Sequence, residues 1–146
     1  MQNLNFNDGY ISMTINNDPN RVISFNPSDF GMIDRYYKSV EAIEKLTDDI
    51  SDFKLNPDGT PKEQLGEAAT AVERLGNAIK EQIDFIFNNN VSEIVFGKQS
   101  PLSIVGGVPL WERFLLAITP VVEKEAKREK RESIKRISKY TKQVVK

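Results

Sequence analysis

Apolar and polar positions alternate from Tyr10 to Ile15, with Ile11, Met13 and Ile15 on one face and Tyr10, Ser12 and Thr14 on the other. That two-residue period belongs to a half-buried strand. Alternation returns over Arg21–Phe25, where Ile23 and Phe25 share a side. Asn7-Asp8-Gly9 and Asn16-Asn17-Asp18-Pro19-Asn20 are turn sequences flanking the first strand, because Asn, Asp and Gly tolerate left-handed backbone geometry. Residues 1–25 therefore read as a β-hairpin, with Leu4–Phe6 open as a third strand. An isolated hairpin is marginal in water, so its apolar face must pack on something.

Beyond residue 25 the period lengthens to that of a helix. Asn26-Pro27-Ser28-Asp29 starts it, with Asn26 or Ser28 as cap and Asp29 near the positive helix end. Phe30, Ile33, Tyr37, Val40, Ile43, Leu46, Ile50 and Phe53 follow in steps of three and four. Lys54-Leu55-Asn56-Pro57-Asp58-Gly59 breaks this stripe, and Thr60-Pro61-Lys62-Glu63 restarts it as a capping box with proline at the first helical position. The second stripe runs through Leu65, Ala68, Val72, Leu75, Ile79, Ile83 and Ile86. Residues 28–88 thus form an antiparallel helical hairpin. Gly66 and Gly76 weaken the second helix by about 1 kcal/mol each relative to alanine, which fits a need for close approach between helices.

Residues 91–122 carry the remaining helices. Val91–Phe96 is one apolar turn, capped by Asn90 or Ser92 and stopped by Gly97. A loop leads to Gly107, and Pro109 opens a helix carrying Leu110, Trp111, Phe114, Leu115, Ile118, Val121 and Val122. Pro120 stands inside it and is expected to kink or interrupt it. Past Glu123 the apolar residues thin out among charges. The expected fold is mainly α with a small N-terminal antiparallel β-hairpin (α+β), as one globular unit over 1–122. A charged helical or flexible tail occupies 123–146.

Charge divides the chain in the same place. Residues 123–146 hold ten Lys/Arg against four Glu, a net of +6, while residues 1–122 hold ten against seventeen Asp/Glu, a net of −7. Within the tail, Lys127, Arg128, Lys130, Arg131, Lys135 and Arg136 form the basic set that phosphates would attract. Glu123, Glu125, Glu129 and Glu132 interleave with them and offer intrahelical pairing, and Tyr140 alone serves base stacking. A helical tail that docks on an acidic protein surface or stays flexible is favoured over a nucleic-acid binder on these grounds.

The chain contains no cysteine and no histidine. This removes disulfides, thiolate metal sites and the side chain most used as a general base near neutral pH. The glycine-rich stretch Val95–Phe114 does not meet the spacing of a phosphate loop, since Gly97-Lys98 is followed by Gln99 and preceded, five positions earlier, by Ser92. Gly106-Gly107 lacks the third glycine and the preceding strand of a dinucleotide site. Asn56, Asp58 and Gly59 do not make a calcium loop, because its first position would be Lys54 and its last Leu65. Asp48, Asp49 and Asp52 read as solvated helix surface. No catalytic, cofactor or metal residue is assigned. No run is long and apolar enough for a membrane span, and the N-terminus lacks a signal-peptide pattern, so a cytoplasmic protein is expected.

Large apolar residues gather near one connection, in Phe85-Ile86-Phe87, Ile94-Val95-Phe96 and Leu110-Trp111 with Phe114. Core is the ordinary reading of such stripes, and interface anchors the other. The candidates for protein binding are Ile94, Phe96, Leu110, Trp111 and Phe114.

The polar hairpin followed by Phe25-Asn26-Pro27-Ser28-Asp29, then Ile94-Val95-Phe96-Gly97, then Trp111 with Phe114 and a charged tail, resembles the tail assembly chaperones of long-tailed, siphophage-type bacteriophages over about residues 1–120. The resemblance implies a non-enzymatic factor that binds the tape-measure protein, self-associates, and recruits tail tube subunits through its C-terminal extension in the bacterial host cytoplasm. Two other readings stand beside it: a nucleic-acid-binding phage or mobile-element protein using the basic tail, and a minor virion structural protein.

Overall fold

The computed structural model describes residues 1–51 and 65–144. The expected turn Lys54–Gly59, the capping box Thr60–Glu63, Asp52 and Phe53 lie outside the described residues, as do the side chains of Asp49, Ile50, Leu65, Ala68 and Tyr140. The architecture is mainly α with an N-terminal antiparallel hairpin. Strands β1 (Ile11–Ile15) and β2 (Asp18–Phe25) lead to helices α1 (Phe30–Ser51), α2 (Leu65–Phe87) and the short α3 (Ser92–Phe96). A ribbon of β3 (Ile104–Val105) and β4 (Val108–Pro109) then precedes the 35-residue helix α4 (Leu110–Val144).

The hairpin pairs Ile11 with Phe25 and Met13 with Ile23, so these four apolar residues share the inner face, while Val22, opposite Thr14, is exposed. Ser12 and Ser24 face each other outside, their hydroxyls 2.7 Å apart. Its turn is tighter than the five residues expected. Asn16 and Asn17 alone make it, both with positive φ, as a two-residue turn matched to strand twist requires. Ile15 pairs with Asp18 whereas Thr14 pairs with Val22, so Pro19, Asn20 and Arg21 bulge from β2. The Asp18 carboxylate accepts the Asn20 backbone N–H at 2.9 Å and sets that bulge. Leu4–Phe6 add no strand to the hairpin, and Leu4 and Phe6 are exposed.

Asp29 caps α1, its carboxylate accepting the Gly31 N–H at 2.9 Å; Asn26 instead accepts from Ser28 and donates to the Asp8 carbonyl. The buried face of α1 is rotated from the expected stripe. Met32, Ser39 and Ile43 are buried, whereas Phe30 is 84% and Tyr37 70% exposed. Ser39 sits at the centre of that face, fully buried, and donates its hydroxyl to the Gln82 carbonyl of α2. A small residue there lets the helices approach, and the hydrogen bond removes the cost of burying its oxygen. Gly76 also serves close approach, but toward Ser100 and Pro101 rather than toward α1.

Ile43, Leu75, Ile79, Ile83 and Ile86 form the contact between α1 and α2, and Ile23, Phe25, Phe87, Phe96, Leu115 and Ile118 extend it into one core. Edge-to-face and tilted ring contacts run Phe25–Phe87, Phe87–Phe114 and Phe96–Phe114 at 5.2, 5.9 and 6.2 Å. They tie β2, α2, α4 and α3 together. Arg35 completes this end by donating to the Ile86 carbonyl near the C-terminus of α2 while pairing with Asp29 at 3.2 Å.

Helix α4 does not break at Pro120. Proline deprives the Leu116 carbonyl of its helical partner, but Pro120 and Leu116 are both exposed, so water can take that carbonyl. The helix also passes Glu123 without interruption, so the first part of the tail continues the helix that packs on the body. Among the described residues no helix is long and apolar enough to cross a membrane.

Candidate functional site

The connection between α2 and α4 is held by one carboxylate. Phe87 ends α2 and Asn88 follows with positive φ, turning the chain back. Asp84, one turn earlier, then meets the start of α3. Its Oδ1 accepts the Val91 and Ser92 backbone N–H groups at 2.9 and 2.7 Å, and its Oδ2 accepts the buried Ser92 hydroxyl at 3.0 Å. The expected local caps Asn90 and Ser92 do not cap; Val91 occupies that position with no side-chain bond of its own. The carboxylate supplies from α2 what α3 lacks locally. Gly97 ends α3 with positive φ, as the sequence indicated.

After α3 the chain forms a ribbon where only a loop was expected. Gly106 and Gly107 both take positive φ between the pairs Ile104–Val105 and Val108–Pro109. The glycines are thus the turn of a small hairpin. Its return strand hands directly into α4, with the Leu110 and Trp111 N–H groups bound to the Ser103 and Pro101 carbonyls at 2.8 and 3.0 Å.

The N-terminal hairpin meets α3 through β2, and its inner face is covered more fully on β2 than on β1. Ile23 and Phe25 are buried, while Met13 and Ile15 are only partly so. Between them opens an apolar groove of about 420 Å³. The hairpin lines it with Met13, Ile15 and Ile23, and α3 with Val95 and Phe96. Leu110, Phe114, Ala117, Ile118 and Val121 form its floor along α4. Two arginines border it. Arg21, on the β2 bulge, donates its Nε to the Ile94 carbonyl at 3.0 Å and a terminal nitrogen to the Val95 carbonyl, satisfying carbonyls left free at the end of α3. Arg113 donates its Nε to the Val105 carbonyl at 2.7 Å.

Three of the five predicted binding residues, Phe96, Leu110 and Phe114, line this groove; Ile94 and Trp111 do not. All five also belong to the packing. Phe96 is buried and the other four are partly buried against the core. The Trp111 indole N–H is buried without a hydrogen-bond partner among the described residues. The apolar cluster is therefore mostly core, and the groove is the portion left open. Sequence reasoning missed Met13, Ile15, Ala117, Arg21 and Arg113. The first two were assigned to the strand's inner face, and no local signal marks the rest as groove lining.

In the distal part of α4, Lys127, Arg128, Lys130, Arg131, Lys135 and Arg136 are all exposed. Arg128 bonds Glu125 at 2.9 Å and Glu129 at 3.0 Å, and Lys135 lies 3.6 Å from Glu132. The Glu125 hydrogen bond, then its charge and that of Glu129, hold the Arg128 pKa above its ordinary value. Lys127, Lys130 and Arg131 form no ion pair among the described residues. Glu125, Glu129 and Glu132 follow steps of four and three along one side, while Lys124, Lys127, Arg131 and Lys135 follow steps of three and four along another.

Compared with known proteins, the chain matches no family model, no curated protein and no solved structure.

Proposed function

We propose that the protein is a non-enzymatic tail assembly chaperone of a long-tailed phage, which holds the apolar stripe of the tape-measure protein in the groove between its hairpin, α3 and α4. The observation that carries this reading is the groove itself, an open cleft with an apolar floor three helical turns long. A tape measure is a long helix that would expose apolar stripes before assembly, and grooves of this kind receive helices through residues spaced three and four apart. The resemblance in the order of sequence features supports this reading, and the groove offers a surface suited to that task. In this account the distal part of α4, exposed from Lys127 to Arg136, reaches the tail tube subunits. Work in the bacterial host cytoplasm and self-association are parts of the same proposal.

Co-expression tests it. Co-expressed with this chain, the tape-measure protein of the same phage should move from the insoluble to the soluble fraction and should co-purify with it. An insoluble tape measure in the presence of folded chain would contradict the assignment. Duplex binding that depends on residues 123–146 and weakens steeply with salt would favour the nucleic-acid reading instead.

A further inference from the structure

The groove's lining runs against the charge of the body that contains it. Residues 1–122 carry seventeen acids against ten bases, yet the groove is lined by two arginines and no carboxylate. Neither Arg21 nor Arg113 forms an ion pair among the described residues. Their bonds to backbone carbonyls fix the guanidinium groups without neutralising them. Each keeps further N–H donors, since a guanidinium has five. A purely apolar partner closing over these arginines would strip water from unpaired charges and give nothing in return. A partner bringing carboxylates would replace that water with charge-assisted, two-pronged hydrogen bonds.

From this we infer the partner's chemistry: the groove takes an amphipathic helix whose apolar stripe is bordered by Asp or Glu, clamped by Arg21 from the hairpin and Arg113 from α4. This rests on the groove being the binding site. The floor favours a helix because Leu110, Phe114, Ala117 and Val121 follow steps of four, three and four, a straight row about 16 Å long. The arginines supply selection against the wrong partner. A helix bordered by Lys or Arg meets two like charges there and is rejected by repulsion as well as by lost pairing.

The test uses two synthetic helices of about 20 residues, enough to cross the floor. They share one leucine stripe and differ in having Glu or Lys at the bordering positions. Binding to the full chain is followed by fluorescence anisotropy at low and high salt. The Glu helix should bind the wild-type chain at least about tenfold more tightly than the Lys helix, with the difference shrinking as salt rises. Arg113→Glu should abolish or invert that preference, and Arg113→Gln should fall between. Arg113 is exposed, so both variants should melt like wild type. Equal binding of the two helices, binding of neither, or a preference untouched by Arg113→Glu would overturn the inference. So would a wild-type dimer that Ala117→Trp dissociates, since a second copy would then fill the groove. Failures are separable. A tape measure held equally by wild type and Arg113→Glu leaves the chaperone reading standing and removes this one. Selective Glu-helix binding without any tape-measure binding does the reverse.

Discussion

Replacing Asp84 by alanine is expected to lower stability by about 3 to 5 kcal/mol, read as a shift in the urea midpoint at unchanged slope. The carboxylate accepts three hydrogen bonds from the start of α3, and both residues that donate them, Val91 and Ser92, are buried. Alanine would leave two backbone N–H groups and a hydroxyl inside without partners, and each such group costs about 1 to 3 kcal/mol. Asp84→Asn keeps one acceptor oxygen and turns the other into a donor that the Ser92 hydroxyl can accept, so it should cost only about 1 to 2 kcal/mol. The gap between the two variants is the informative quantity. Equal losses would mean that the negative charge, rather than acceptor geometry, holds α3. Because α3 carries Val95 and Phe96, loosening it should also open the groove wall and raise amide exchange there.

Phe114→Ala is expected to cost about 3 to 4 kcal/mol, within the range for truncating a core phenylalanine and below its top because the ring is partly exposed at the groove. The ring meets both Phe87 and Phe96, so its loss cuts the aromatic chain that joins α2, α3 and α4. Phe114→Leu should cost under about 1.5 kcal/mol, since a branched aliphatic fills most of the same space. Thermal or urea unfolding of the three proteins checks the order. The consequence for function is practical: truncating Phe114 or Trp111 cannot test binding cleanly, because both side chains also hold the fold. Effects of the Asp84 and Phe114 substitutions should not add, since both act on α3.

The elements that were legible in the sequence are those with a sustained period. Strand alternation placed Ile11, Met13, Ile23 and Phe25 on the inner face, and that is where they lie. Of the expected α2 stripe, Leu75, Ile79, Ile83 and Ile86 are buried, whereas Val72 is exposed. On α1 the apolar count misled, because Phe30 and Tyr37 are large and exposed while the true centre of the face is Ser39. A small polar residue that hydrogen-bonds its way into a core leaves no apolar signal. Asp84 was illegible for a related reason. Its partners lie seven and eight residues onward, across a helix end, and nothing local distinguishes it from a solvated acid. The ribbon at Ile104–Pro109 had a readable signal, Gly-Gly between two apolar pairs, which is a hairpin pattern. Its strands of two residues fell below the length at which alternation can be seen.

The groove was illegible as a groove because it exists only where three separate elements fail to close. Its residues were readable as apolar, but which would remain uncovered depends on how the hairpin lies over α3 and α4. Ala117 is the residue through which to test it. It is exposed, lies on the groove floor between Phe114 and Val121, and is distinct from the residues packed in the core. Ala117→Trp places an indole where the partner helix would lie and removes no core contact. The decisive measurement is the affinity of the chain for its proposed partner, the tape-measure protein, wild type against Ala117→Trp, with the melting temperature of each recorded. A loss of at least about tenfold, or roughly 1.4 kcal/mol, is expected at an unchanged melting temperature. Wild-type affinity in the folded variant would contradict it.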